Sequence, residues 1–216
     1  MKQLTAMLVF LLLASQALAA GYEDTLCQRF ELLAGREIVV VANPESPDWE
    51  YASSLAEALT SAGMPCRLSS DLEFDVSMLG AVNIILVGGP IANKATKMLQ
   101  DNLSVVFYSE NGRIFMYAAT VKLTGAQWGV VNMEEISGSW VVLLAGITRN
   151  GTKAAVKAFL EAKNLHREVA IIRARDSEYG VYICLPALSQ AEKESRRIKP
   201  RGAGVVAVGL LELADG

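Results

Sequence analysis

The sequence predicts an α/β fold: a mostly parallel, Rossmann-like sheet with helices on both faces, a β-hairpin-rich insertion and a C-terminal extension. Three observations lead there. Short apolar runs rich in β-branched residues, "EIVVVA" (37–42), "VNIILV" (82–87) and "WVVLLAGI" (140–147), read as buried strands. Segments with helical apolar spacing follow each of them. Alternating strands and helices favour parallel strands joined by crossover helices.

The elements follow in order. Tyr22 to Leu33 has Leu26, Phe30 and Leu33 at helical spacing and reads as a leading helix, within a segment 20–36. After the first strand, Ser46 is a good N-cap and Pro47 suits a first helical position. Asp48 and Glu50 complement the positive end of that helix, and Gly63 ends it. "CRLSS" reads as a brief strand, and Leu72 to Leu79 as a short irregular segment. A helix over Ile91 to about Asp101 follows the second long strand. "SVVFYSENGRIFMYAAT" places two strand-like runs around Asn111-Gly112, a hairpin turn pair. "WGVVNMEE" reads as a weak strand or loop. A helix over Lys153 to Lys163 follows Asn150-Gly151-Thr152. "EVAIIRAR" and "GVYICL" form a further hairpin, "SQAEKESRRIKPRG" an exposed loop, and "AGVVAVGLLEL" a last strand.

The first twenty residues differ from the rest. Lys2, the apolar run Leu8 to Leu13 and Ala17-Leu18-Ala19 fit a secretory signal peptide over residues 1–19. An uncleaved anchor is the competing reading, although the run is short against the roughly 20 residues of a membrane span. Export changes how Cys27, Cys66 and Cys184 are read: one disulfide is plausible, three pairings are open, and each leaves one thiol over. Asn102-Leu103-Ser104 and Asn150-Gly151-Thr152 fit the N-glycan acceptor pattern. The formal charge of −3 carries no basic footprint, so nucleic acid is not an expected partner.

Residues that could carry chemistry are few. Gly88-Gly89-Pro90 joins a strand to a helix, where unpaired N–H groups favour anions. The pattern lacks a Gly-x-Gly-x-x-Gly spacing or a following Gly-Lys-Ser/Thr, and Pro90 removes a donor. A structural turn is the better reading. His166 is the only histidine, and no Gly-x-Ser-x-Gly elbow is present. No catalytic residue, cofactor or metal is expected. Asp71, Glu73 and Asp75 could share a face and hold calcium, but a solvated loop with a capping carboxylate is the simpler reading. Glu134-Glu135 is an acidic pair of the same kind. Phe107, Tyr108, Phe115 and Tyr117 read as cross-strand hairpin pairs before sugar-stacking rings. Arg196, Arg197, Lys199 and Arg201 read as a soluble basic loop.

Two segments together resemble a family. "NIILVGGPIANKATKML" is similar to the strand–Gly-Gly-Pro–helix segment of archaeal S-layer proteins, and "VVLLAGITRNGTKAAVKAFLEA" to a second signature of the same domain. The resemblance spans Glu37 to Lys163, with Gly88, Gly89, Pro90, Asn93, Ala145, Gly146, Arg149, Gly151 and Thr152 at matching positions. It implies an S-layer-like α/β domain over 37–165, and the strand-like runs after it read as a β-rich extension over 166–216. It also implies an exported, glycosylated, non-enzymatic surface or accessory protein of the cell envelope. Its partners would be envelope or S-layer proteins, and its only membrane contact the N-terminal segment if uncleaved. A small-ligand binder or enzyme using the two glycine turns is the alternative. Both turns end a strand and start a helix, so Asn93, Arg149 and Thr152 are expected to border one crevice.

Overall fold

The computed structural model describes residues 30–110, 112–162, 165, 168–175, 178–198 and 211–213, with the side chains of 197–198 and 211–213 left aside. The signal-peptide segment 1–19, Cys27, Asn111, His166, Lys199 and Arg201 lie outside the described residues. After a helical turn α1 (residues 30–33) come β1 (Ile38–Ala42), α2 (Asp48–Ser61), β2 (Cys66–Ser70) and β3 (Asn83–Val87). Then follow α3 (Lys94–Leu99), β4 (Val105–Glu110), β5 (Arg113–Ala118), β6 (Val121–Thr124) and β7 (Trp128–Ile136). The chain continues through β8 (Ser139–Gly146), α4 (Arg149–Glu161), β9 (Val169–Arg175), β10 (Glu178–Leu185), α5 (Gln190–Ile198) and β11 (Leu211–Leu213).

The sheet is not the mostly parallel, Rossmann-like one that the sequence predicts. Seven strands run in the order β10-β9-β7-β8-β3-β1-β2. Only the β2–β1, β1–β3 and β3–β8 pairs are parallel, whereas the β8–β7, β7–β9 and β9–β10 pairs are antiparallel. Strand residues outnumber helical ones among those described. The physical reason lies in one turn. Ile136 pairs with Ser139, and Ser137 (φ 51°) and Gly138 (φ 80°) between them are both left-handed. Such a two-residue turn matches strand twist and folds β7 straight back on β8. "WGVVNMEE" thus lies in a central strand of nine residues, Trp128–Ile136, and the β9–β10 hairpin pairs beside it in the same sheet.

Helices do not cover both faces alike. Ile38, Val40, Ile85, Val87, Val142, Leu144 and Val131 face α2 and α4. Their neighbours Val39, Val41, Ile84, Leu86, Val141, Leu143 and Val130 face α3 and the inner side of a second sheet, β11-β6-β5-β4. The alternation follows from the two-residue side-chain period of strands buried on both sides. In the second sheet β4, β5 and β6 are antiparallel and β11 is parallel to β6.

Helix α5 takes the place of residues 190–198 of the exposed loop expected over 189–202. Ser189 Oγ donates to Glu192 Oε2 (2.6 Å), and the Ser189 N–H donates to the same oxygen (2.7 Å), a capping box. Its Lys193 ion-pairs with buried Glu134, whose Oε1 accepts from Ser104 N (2.6 Å) and Asn132 Nδ2 (2.9 Å). Arg196 donates to the carbonyls of Ser104 and Ala119, and burial holds its pKa below the usual value. Two α5 cations therefore lock the main sheet to the second one.

Cys66 and Cys184 sit in β2 and β10, the outer strands of the seven-stranded sheet. Six interstrand steps of about 4.8 Å separate them. A disulfide spans only about 7 Å between Cα atoms, so these two cannot bridge within one chain.

Candidate functional site

The two glycine turns lie side by side. β3 and β8 are adjacent and parallel, and Gly88 N donates to Leu144 O (2.9 Å). Gly88 is left-handed (φ 99°), and a Cβ there would stand 2.8 Å from Asp48 Oδ2. The chain then loops through Gly89 and Pro90 to Asn93, with Asn93 N donating to Gly89 O (2.9 Å). α3 starts three residues later than the apolar pattern suggests, because Asn93 is its N-cap.

Asn93 is buried and fully engaged. Its Nδ2 donates to Val41 O (2.9 Å) and Val87 O (3.0 Å), tying the ends of β1 and β3 together. Its Oδ1 accepts from Thr96 N (3.2 Å). Thr96 Oγ1 in turn donates to Gly88 O (2.9 Å).

The second turn is a joint between backbones. Gly129 and Gly146 are cross-strand partners in β7 and β8. Cβ atoms on them would lie 2.2 Å and 2.4 Å from Gly151 backbone atoms. Only hydrogens in place of side chains let the first turn of α4 rest on the strands. Thr148 Oγ1 donates to Ala126 O (2.6 Å), and Thr152 is buried. Arg149 is exposed, ion-paired with Glu50 (3.2 Å) and set over the Tyr51 ring (5.3 Å).

Between the turns lies a cleft of about 200 Å³. Ser46, Pro47 and Asp48 at the start of α2 form one wall, and Gly89 to Ala92 another. Gly146 to Arg149 and Thr152 form the third, and Phe107 and Ile114 close it from the second sheet. Of the turn-motif residues singled out in the sequence, Gly89, Pro90, Gly146, Arg149 and Thr152 line it. Gly88, Asn93 and Gly151 belong to the frame behind it. Asn102 is half-exposed in a 3-10 turn (Gln100–Asn102), and Asn150 is exposed in the first turn of α4.

Ser46, Pro47 and Asp48, assigned in the sequence to a helix start, and Phe107, assigned to a hairpin pair, also line the cleft. Asp48 is 7% exposed and its Oδ1 has no hydrogen-bond partner. Burial raises its pKa above the ordinary carboxylate value, opposed by the Arg149 charge and a hydrogen bond with Ser46.

The acidic clusters serve as caps and ties. Asp71 Oδ2 accepts from Lys94 N (2.8 Å), Glu73 Oε2 from Ser69 Oγ (3.0 Å) and Asp75 Oδ1 from Ser77 N (2.7 Å). Among the described residues no three His, Cys, Asp or Glu side chains converge as a metal site would require. None of the described helices is long and apolar enough to cross a membrane.

No curated protein matches this sequence. Residues 68–163 match the profile described as S-layer like family, outer domain, a stretch that begins in β2 and contains both glycine turns. Over those residues the chain is similar to the S-layer-like family, and the match supports a cell-envelope, S-layer-like role.

Proposed function

We propose that this chain is an exported, non-enzymatic protein of the cell envelope, presenting an S-layer-like domain as a surface or accessory module. The observation that carries the reading is the family match across residues 68–163. That family is generally structural rather than enzymatic. The chemistry of the two turns supports the same use. Asn93 and Thr96 use their polar atoms to hold backbone, and Gly129, Gly146 and Gly151 exist to let backbones touch. Its partners on this reading are other envelope proteins.

Asn102 and Asn150 are the proposed glycan acceptors. Ser104 and Thr152, the hydroxyl residues of both sequons, are buried, and Ser104 Oγ accepts from Leu188 N (2.6 Å). Glycan addition then has to precede folding. The test is fractionation of producing cells, protease shaving of intact cells and intact-mass measurement of the recovered chain. The expected result is a surface-accessible product cleaved near Ala19 and carrying added mass. An unprocessed cytosolic chain would overturn the proposal.

A further inference from the structure

Three buried polar side chains meet where α5 packs against β7. Asn132 and Glu134 stand two residues apart on β7, so both point to the same face. Glu134 Oε1 accepts from Asn132 Nδ2 (2.9 Å), and Oε2 accepts from Lys193 Nζ. One carboxylate thus touches both an amine and a carboxamide. Asn132, Glu134 and Lys193 are 0%, 6% and 9% exposed.

A buried ion pair alone does not account for the amide. Asn132 Nδ2 has two acceptors, Glu134 Oε1 and Glu168 O (3.2 Å), whereas Oδ1 meets no donor. Turning the amide over would set oxygen against oxygen twice, so the nitrogen is fixed against the carboxylate. Ser104 N donates to the same Oε1 (2.6 Å) and pins it. The neighbours exclude water: Leu143 and Val169 pair with Asn132, Val141 pairs with Glu134, and all three are fully buried. Charge is costly in such surroundings, and passing a proton from Lys193 to Glu134 removes both charges. It leaves a neutral amine, which is a nucleophile, beside a carboxamide.

We propose that Lys193 and Asn132 join in an intramolecular isopeptide bond, with Glu134 as the catalytic acid and base. Lys193 Nζ gives one proton to Glu134, and the neutral amine attacks Asn132 Cγ. The Nζ–Cγ bond forms and negative charge moves to Oδ1. Glu134 protonates Nδ2, the Cγ–Nδ2 bond breaks, and ammonia leaves. The surplus proton on Nζ returns to Glu134 as the new amide forms. No oxidant, reductant or other co-reactant is required. Two groups held on one carboxylate supply the proximity that the same exchange lacks in water. The product ties α5 covalently to the central strand β7. This cross-link is independent of the envelope reading, and the two fail separately. A chain retained in the cytosol still cross-links if the chemistry holds, and a surface chain stays linear if it does not.

Mass spectrometry of the folded wild-type chain, intact and after trypsin, is the test. The intact chain should be lighter than its sequence by one ammonia, and a branched peptide should join Asn132 to Lys193. Glu134→Gln and Lys193→Arg should each abolish the branch and leave both peptides linear. Wild type with linear Asn132 and Lys193 peptides overturns the proposal. So does an ammonia loss located only at Asn111-Gly112 or Asn150-Gly151, where a succinimide gives the same mass change. A branch that persists in Glu134→Gln overturns the role of Glu134. Should either variant fail to fold, the wild-type peptide map decides.

Discussion

Gly146 and Gly151 meet backbone to backbone: a Cβ on Gly146 would lie 2.4 Å from the carbonyl carbon of Gly151. No side chain can rotate away to relieve that contact. Gly146→Ala therefore has to push α4 off β8, and α4 carries the fully buried Phe159 and Ala155. The expected loss is more than about 3 kcal/mol. Gly180→Ala is the control, because its Cβ would meet nothing within 4 Å and its backbone is not left-handed. It should stay within about 0.5 kcal/mol of wild type. Urea unfolding of the two variants checks both, and an unimpaired Gly146→Ala would refute the joint.

Asn93 makes a second prediction. Its amide bonds two strand-end carbonyls while its oxygen caps α3. Asn93→Ala removes the cap and strands both buried carbonyls, for about 3 kcal/mol. Asn93→Asp keeps the cap acceptor but turns a negative oxygen toward Val41 O and Val87 O, so it should cost at least as much at neutral pH. If the aspartate variant were as stable as wild type, capping alone would be the role of Asn93.

These two sites show what was legible in the sequence. β1, β3 and β8 are continuous apolar runs, so their burial on both faces is written locally. The placing of Gly89, Pro90, Arg149 and Thr152 around one cleft follows from two strand-to-helix turns on neighbouring strands. β7 was obscured because Asn132 and Glu134 interrupt its apolar run. Both are buried, and Glu134 is satisfied by Lys193, far away in the chain. The direction of β7 was available only in Ser137-Gly138, a less familiar turn pair than Asn-Gly. α5 was hidden by its polarity, although Ser189-Gln190-Ala191-Glu192 carries the capping-box spacing. Asp48 reads as an ordinary acidic residue in a first helical turn. That it is buried depends on Gly88 and on a second sheet folding across the cleft.

Lys193 and Glu134 form an ion pair whose side chains are 10% and 6% exposed. Breaking it from one side leaves a buried charge. Lys193→Met should cost about 3–5 kcal/mol, while Glu134→Gln with Lys193→Met should cost clearly less than the two single changes summed. A double-mutant cycle by denaturant unfolding measures this. Additive costs would mean that α5 is held by Arg196 alone.

Asp48 gives a prediction with a definite sign. Its folded pKa is raised, with burial as the largest cause. The native state then holds the proton more tightly than the unfolded chain does. The resulting stabilisation is complete below the ordinary aspartate value of 3.8 and is lost as pH climbs through the folded value. Asp48→Asn imitates the protonated form at every pH. It should melt above wild type at neutral pH, and the gap should close as pH falls below about 4. Thermal melts of both proteins across that range decide it. A variant less stable than wild type at neutral pH would mean that the Asp48 charge is wanted by the positive ends of α2 and α4 more than burial opposes it.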